Sequence, residues 1–561
     1  MAPSPARFGI SRRVPEGRLH ALLLFVLAML LLDAVSAVSA QGVDATPFSQ
    51  QLQALPSASY ADKETLIAEI EASGHPQSPV VLQALLDGRL YSRESDHRVL
   101  IVEDTQDGYR AVDALDESDV GVVEKGDIKK IGVNNRLRGQ LRAALARLSL
   151  ASPDARVRAD AAAQMIGQRD AETEALLRAR LVVESDADVR ELIETALAVI
   201  DLGSEDAATR LEAVRALDGS LQPEVLNRLN ALLATSGDGE YAEPDAAVRA
   251  AATQAVKNIQ FKRDLYAKGE TVFFGLSLGS VLLLAAIGLA ITFGVMGVIN
   301  MAHGELMMLG AYTTYVVQLL MPNHIGLSLF VAVPAAFLVA GLVGIAIERG
   351  VIRFLYGRPL ETLLATFGIS LILQQLVRSV FSPLNRTVIT PEWMSGSWQI
   401  NAAFSLTYNR LYIVVFALLV FAALLLILNK TPLGLQVRAV SQNRNMAKAM
   451  GIRTEWVDAM TFGLGSGIAG VAGVALSQLT NVGPNLGQSY IIDSFMVVVF
   501  GGVGNLWGTL VGALTLGVVN KILEPATGAV LAKILVLVFI ILFIQRRPRG
   551  LFPKRGRGAE D

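Results

Sequence analysis

The segment from Asn300 to Glu305, with the sequence NMAHGE, is a polar interruption in a strongly apolar part of the chain. Ionisable side chains at membrane depth are costly and usually face a polar path, and helices are commonly broken at transport sites. The candidates for lining a translocation path here are Asn300, His303, Gly304 and Glu305. A polar cytoplasmic turn between two spans is the alternative. Further ligands for a metal ion are lacking, so no metal site is predicted.

A second group of polar residues lies about 60 positions later. Thr366, Ser370 and Gln374 are spaced i, i+4, i+8, which places two hydroxyls and an amide on one face of a helix. Such a stripe can hydrogen-bond a small neutral polar solute. Hydrogen bonding to another helix is an equally open interpretation.

The loop from Gly434 to Ile452 is amphipathic and basic. The chain contains no Gly-x-x-x-x-Gly-Lys-Ser/Thr motif for ATP, so an energy-coupled transporter would need an ATPase on another polypeptide. We interpret the loop as its docking surface, with apolar anchors, rim charges and a turn-forming glycine. A helix lying on the membrane surface is the alternative. The docking candidates are Val437, Val440 and Met446 as anchors, Arg438 and Arg444 at the rim, and Gly451 at the turn.

Long apolar runs recur after Thr271 and must be helical, because backbone groups in lipid have to pair internally. They predict about nine membrane spans, with eight to ten as the range. The predicted spans are 272–297, 302–321, 327–347, 361–381, 411–428, 458–478, 491–503, 506–523 and 529–545. The loops assigned inside carry fourteen lysines and arginines and those assigned outside carry three, which places the C-terminus in the cytoplasm. In the helix Thr461–Gln478, small residues at four-residue spacing predict close helix contacts.

Charge divides the chain into two halves. Residues 41–270 hold 39 acidic and 26 basic side chains, whereas residues 271–561 hold 10 and 19. An acidic soluble half argues against nucleic acid as a partner. The absence of cysteine excludes disulfides, thiol chemistry and cysteine-ligated metal, and no cofactor is predicted.

The N-terminus has the features of a secretory signal peptide over residues 1–40. Arg12, Arg13 and Arg18 form a basic region before the apolar run Ala21–Leu32, and Val38-Ser39-Ala40 offers a cleavage site. An uncleaved anchor helix is the alternative, and either interpretation predicts export of the domain C-terminal to residue 40. The predicted domains are a small mixed exported segment over 41–130, a helical repeat domain over 131–265 and a transmembrane domain over 266–561.

The repeat prediction rests on similar short units. Each has an acidic residue near a helix start, a branched residue expected to face the core and an arginine expected to be exposed. They begin near Asp154, Asp186 and Asp245, with a weaker copy near Asp206. The pattern resembles HEAT-like repeats; an ordinary alanine-rich bundle is the alternative. Before position 130, only Arg98–Glu103 is strand-like.

Three blocks in one order resemble the branched-chain amino acid permease family of ABC transporters, over about 271–552. The blocks are Asn300–Glu305 with Gly310-Ala311-Tyr312, the loop from Arg438 to Ile452, and Ile492-Asp493-Ser494-Phe495 leading to Gly501-Gly502-Val503-Gly504-Asn505. Asp493 in the third block joins the candidate path residues. The large exported domain, together with Leu363–Ser370, looks more like the urea permease branch.

The apolar runs, the repeat units and the signal-like N-terminus together predict an all-α fold, a polytopic helix bundle carrying an exported, mostly helical domain. With the resemblance they predict a multi-pass protein of the bacterial inner membrane, surrounded by membrane lipid, with a periplasmic N-terminal domain. The resemblance itself adds the partners. The implied partners are a second permease subunit, two ATP-binding subunits and a periplasmic solute-binding protein. The expected function is ATP-driven import of urea or a short amide by a subunit that is not itself an enzyme. A branched-chain amino acid permease and a passive channel for small polar solutes remain alternatives.

Overall fold

The fold is taken from a computed structural model, which describes residues 47–105, 108–124, 126–235 and 241–553. The predicted signal peptide and the basic residues after position 553 lie outside the described residues. The chain divides into two compact units, Met1–Gly203 and Ser204–Asp561.

The first unit combines helices with one sheet. Its helices are α1 (Pro47–Ala54), α2 (Tyr60–Ala72), α3 (Ser78–Leu86), α4 (Asn135–Leu150), α5 (Ala155–Met165), α6 (Ala171–Val183) and α7 (Ala187–Asp201). Its strands are β1 (Leu90–Arg93), β2 (Val99–Thr105), β3 (Gly108–Asp113), β4 (Asp119–Val123) and β5 (Ile128–Lys130).

The five strands form an antiparallel sheet in the order β4-β3-β2-β1-β5. The predicted strand at Arg98–Glu103 corresponds to β2, but the other four strands were not foreseen. They are short, with turn residues between them, so no apolar alternation of useful length marks them in the sequence. Leu90, Val99 and Ile101 of the sheet pack with α1–α4 in one apolar core.

Aspartate caps confirm the helix starts that were predicted at the four similar sequence units. The side chains of Asp154, Asp186, Asp206 and Asp245 each accept a backbone N–H of the following first turn. The expectation of an exposed arginine is wrong for Arg158, which is buried and forms a two-bond pair with Glu184. Its hydrogen bonds hold the pKa of Glu184 well below its usual range. Val157, expected in the core, is exposed instead.

The second unit is almost entirely helical. Its helices are α8 (Ala207–Ala216), α9 (Pro223–Leu232), α10 (Ala246–Met296), α11 (His303–Leu320), α12 (Ile325–Gly350), α13 (Pro359–Phe381), α14 (Tyr408–Lys430), α15 (Pro432–Gln442), α16 (Arg444–Ala449), α17 (Thr454–Ser477), α18 (Leu486–Gly501), α19 (Leu506–Thr527) and α20 (Ala529–Arg546). A hairpin of β6 (Ser397–Asn401) and β7 (Phe404–Thr407) precedes α14. The predicted domain boundary at 265/266 falls inside α10, which runs unbroken for 51 residues.

The helical class is confirmed. Each of the nine predicted spans coincides with one of the helices α10–α14 and α17–α20. Within the described residues, seven helices are long and apolar enough to cross a membrane. The predicted spans at 302–321 and 491–503 fall in α11 and α18, which are outside that set, because α11 carries polar residues at its start and α18 has only 16 residues.

Small residues in α17 allow neighbouring helices to approach closely, as their spacing predicted. Gly463 and Gly467 face α12, and Gly473 faces the backbone of α11. A Cβ atom on Gly467 would lie 2.7 Å from the Phe337 ring, so a larger residue cannot be accommodated without a shift.

Glycine contacts also reveal an internal repetition of four helices. Gly288 of α10 and Gly465 of α17 each lie against the other's carbonyl oxygen, and Gly304 of α11 and Gly487 of α18 do the same. In addition, α12 packs on α17 in the way that α19 packs on α10. Since α11 also contacts α13 as α18 contacts α20, we infer that an approximate two-fold axis relates α10–α13 to α17–α20, an arrangement common in transporters.

Candidate translocation site

The polar segment that interrupts the apolar region begins where α10 ends. Gly297 ends α10 with φ of +66°, a left-handed conformation that suits glycine. The chain then turns back into the bundle, and α11 starts at His303. Asn300, His303 and Glu305 are all buried, so an exposed polar turn does not describe this segment.

His303 holds the start of α11 against the middle of the apolar part of α10. Its Nε2 lies 2.8 Å from the carbonyl oxygen of Ala285, in the middle of the apolar part of α10. Since a carbonyl can only accept, Nε2 must carry the hydrogen, and in a neutral ring Nδ1 is then an acceptor. No described residue donates to Nδ1. Asn300 Nδ2, also buried, has no acceptor within the described part of the chain.

Glu305 is the centre of a polar cluster between α11 and α13. Its Oε1 accepts hydrogen bonds from Ser370 Oγ at 2.8 Å and from Gln374 Nε2 at 2.7 Å. Its Oε2 is buried and has no hydrogen-bond partner among the described residues. Burial of a carboxylate oxygen without a donor is unfavourable, so this atom is available to a further donor.

The predicted stripe and the interrupted segment therefore meet. Besides Ser370 and Gln374, Thr366 reaches this segment, its Oγ1 accepting from the Met301 backbone N–H at 3.2 Å. The predicted common face of the three residues is observed, since all are buried on one side of α13.

Arg378 extends this stripe by one more turn and was missed in the sequence. Its guanidinium donates to Asn485 Oδ1 at 2.7 Å, immediately before α18 begins. One helix thus contacts the starts of both α11 and α18. Continuing the spacing of Ser370 and Gln374 by four residues would have identified it.

Asp493 does not join the cluster around Glu305. It lies in α18, and its Oδ2 is 3.0 Å from Lys533 Nζ of α20.

Gly304 has a different role from the polar residues, since a Cβ atom there would lie 2.5 Å from the Gly487 carbonyl oxygen. It permits the two helix starts to touch.

The predicted docking loop folds as α15 and α16, and most of its candidate contacts turn inward. Val437 and Val440 are buried against residues that include Leu428 and Ile452. They therefore anchor the loop to its own subunit, because the apolar face of an amphipathic helix packs on the nearest apolar surface.

The two arginines predicted at the rim are also engaged within the chain. Arg438 donates to the Leu428 carbonyl oxygen, and Arg444 pairs with Asp458. Met446 alone of the three predicted anchors is exposed, at 61%. Gly451 has φ of +87° at the turn toward α17.

Comparisons with known proteins identify the membrane half. Residues 271–544 match the family described as "Branched-chain amino acid transport system / permease component". The high-affinity branched-chain amino acid transport system permease protein LivH of Salmonella typhimurium is 31% identical over 292 residues, covering 50% of this chain and 94% of LivH. The chain belongs to this permease family.

Other members of the permease family are similar over about half of this chain. Escherichia coli LivH is 30% identical over 292 residues, with 50% of this chain and 94% of LivH covered. Pseudomonas aeruginosa BraD is 30% identical over 286 residues, covering 49% and 93%. No solved structure matches the chain.

Family membership fixes the broad role. The related proteins are permease subunits of ABC transporters and not enzymes. Such permeases work with ATP-binding subunits and a binding protein, and the several apolar helices indicate an inner-membrane protein.

Proposed function

We propose that this chain is the permease subunit of an ABC importer for a small neutral polar solute, with urea as the first candidate. The supporting observation is the buried cluster of Glu305, Ser370 and Gln374. It offers a carboxylate oxygen, unpartnered among the described residues, to an N–H donor at an interrupted helix inside an otherwise apolar bundle. An amide such as urea supplies N–H donors without bringing a charge into the bundle.

A branched-chain amino acid is the second candidate solute. The relatives LivH and BraD favour it, since both are high-affinity branched-chain amino acid transport system permease proteins. The identities near 30% leave room for a different solute in this chain.

Solute uptake discriminates between the two candidates. A strain deleted for this gene is compared with the same strain carrying it, using labelled urea and labelled leucine. The proposal expects gene-dependent, energy-dependent urea uptake. Leucine uptake alone would favour the second candidate, and uptake that persists without cellular ATP would favour a passive channel.

The proposed topology places residues 41–265 in the periplasm as an exported domain and residues 266–561 in the permease domain, with the C-terminus in the cytoplasm. The signal-like N-terminus and the basic cytoplasmic loops support this orientation. A reporter that is active only after export should be active when fused after Lys262 and inactive when fused after Arg546. The opposite pattern would reverse the orientation.

The proposed complex contains a second permease subunit, two ATP-binding subunits and a periplasmic binding protein. The ATPase contact is assigned to the face of the α15–α16 loop that points away from the rest of the subunit. There Leu435, Met446 and Met450, the last just after α16, are exposed apolar residues. Met446→Asp should reduce copurification of the ATP-binding subunits, whereas Lys448→Ala, which keeps the apolar face, should reduce it less. If the ATP-binding subunits copurified equally with Met446→Asp and with the wild-type chain, this face would not be their contact.

A further inference from the structure

We propose that Arg444 and Asp458 are positioning residues that transmit movement of the α15–α16 loop to the helix α17, and through α17 to the start of α11. This inference rests on the proposed function, because it assumes that an ATPase moves the loop. It assigns the step that comes after docking.

The link between the loop and α17 is a two-bond ion pair. Arg444 Nη1 lies 3.1 Å from Asp458 Oδ1, and Arg444 Nη2 lies 2.5 Å from Oδ2. Asp458 is only 3% exposed. Two parallel bonds between planar groups fix orientation as well as distance, so α16 cannot rotate freely against α17.

Tyr356 brings a third element into the same contact. The Arg444 guanidinium carbon lies 4.0 Å from the centroid of the Tyr356 ring, in the connection after α12. A neighbouring contact has the same form, with Arg349 at the end of α12 lying 4.9 Å from the Trp456 ring centroid. The loop, α12 and the first turns of α17 are therefore joined at one place by cation–π contacts and the ion pair.

The far part of α17 lies against the candidate translocation site. Fifteen residues after Asp458, Gly473 packs directly on the backbone of Met307 in α11, close to Glu305. Gly470 is similarly close to Gly310. Because these backbones touch directly, without flexible side chains to absorb a displacement, movement of α17 must move α11 or separate the two helices.

Apolar packing seats the α15–α16 loop independently of the ion pair. Val437, Val440 and Ala447 are buried together with Val457 of α17. The apolar contact keeps the loop in place, and the ion pair fixes the orientation of α16 relative to α17, so that a movement of the loop displaces α17 in one direction. Removing the ion pair should therefore uncouple movement while leaving the loop seated.

The test uses the full chain in its complex, with the second permease, the ATP-binding subunits and the binding protein, reconstituted in liposomes. Uptake of labelled urea and of labelled leucine is measured alongside ATP hydrolysis and copurification of the ATP-binding subunits. Arg444→Ala and Asp458→Asn should each lower solute moved per ATP by about tenfold. Copurification should stay at the wild-type level.

The charge swap Arg444→Asp with Asp458→Arg separates a specific link from general damage. It restores an ion pair and should recover at least part of the lost transport per ATP. Arg358→Ala, which removes an exposed inner-side arginine paired with Glu361, is the matched control and should transport like the wild type.

The outcomes are distinct from failure of the proposed function. Wild-type complex that moves neither urea nor leucine would contradict the function. Wild-type transport together with unchanged coupling in both single variants would overturn the link, as would loss of the ATP-binding subunits from them. A charge-swapped variant that moves no more solute per ATP than the single variants would also overturn the link. This comparison still decides the matter if Arg444→Ala fails to reach the membrane, because the swap is then compared with Asp458→Asn.

Discussion

The helices α10–α13 and α17–α20 are packed alike, yet their fourth helices differ in the stripe that they bury. In α13 the buried stripe contains Thr366, Ser370 and Gln374, whereas α20 buries Ala532, Val536 and Ile540 at the same four-residue spacing. The repetition sets where the helices lie. The side chains of the fourth helices then make the buried stripe polar in α13 and apolar in α20.

A buried carboxylate in each of the two four-helix sets, α10–α13 (the first half) and α17–α20 (the second half), shows the same difference. Glu305 of α11 accepts two neutral hydrogen bonds from α13 and keeps one oxygen without a partner among the described residues. Asp493 of α18 is paired with Lys533 of α20, a side chain that is about half exposed. A neutralised carboxylate has little to offer a neutral solute, so we assign solute contact to the first half.

The largest effect is expected from Glu305→Gln. A glutamine side chain has one acceptor oxygen, so either the acceptor for Ser370 and Gln374 or the unpartnered acceptor becomes an amide nitrogen, and solute uptake should fall by about 30-fold. Asp493→Asn is the control from the other half and should cost less than about threefold. Uptake by membrane vesicles at equal protein levels measures both, and equal losses would contradict the asymmetry between the halves.

Gln374→Leu should lower uptake by about tenfold, because an apolar group cannot replace the amide that donates to Glu305. Ile540→Leu changes the shape of the corresponding stripe in α20 without changing its polarity, and should leave uptake within about twofold. Unchanged kinetics for Gln374→Leu, in protein that reaches the membrane, would make the α13 stripe a packing feature.

Gly304→Ala and Gly487→Ala should lower the apparent Tm in detergent by similar amounts, about 5 °C. Each Cβ would press on the other helix's backbone, which cannot move aside as a flexible side chain can. Gly368→Ala in α13 is the control, since among the described residues no atom beyond its own stretch of helix lies within 4 Å of its Cβ position. Unequal shifts at Gly304 and Gly487 would weaken the two-fold relation.

The smallest effect is expected from Lys533→Ala. Lys533, the cationic partner of the buried Asp493, is itself about half exposed, so water can take the place of its ammonium group at the carboxylate, and the loss of such a partner costs about 0–1 kcal/mol. Uptake should therefore stay within about twofold of the wild type. A loss comparable to that of Glu305→Gln would place Asp493 in the solute path after all.

Local spacing in the sequence was sufficient for much of this fold. Apolar run length located every helix of the bundle, and four-residue spacing placed Thr366, Ser370 and Gln374 on one face. The glycine spacing of α17 likewise predicted its close contacts. These features depend on neighbours along one helix, which a sequence displays directly.

Partners distant in the chain could not be predicted in the same way. Nothing local shows that Ser370 meets Glu305, 65 residues away, or that Arg444 turns toward Asp458 rather than outward. Arg158 was expected at the surface because its partner Glu184 is 26 residues away. The two-fold relation between α10–α13 and α17–α20 could not be predicted either. The two sets of helices share their packing, which only tertiary contacts show, but not the polarity of their side chains, which the sequence shows.

Water access to Ser370 during transport tests the central claim most directly. The chain has no cysteine, so Ser370→Cys and Ala532→Cys each introduce a single thiol into this subunit at a buried stripe position of α13 or α20. In the reconstituted complex hydrolysing ATP, a membrane-impermeant thiol reagent should modify Ser370→Cys, transported solute should slow the reaction, and Ala532→Cys should stay unmodified. A Ser370→Cys thiol as unreactive as that of Ala532→Cys would contradict a translocation path along α13.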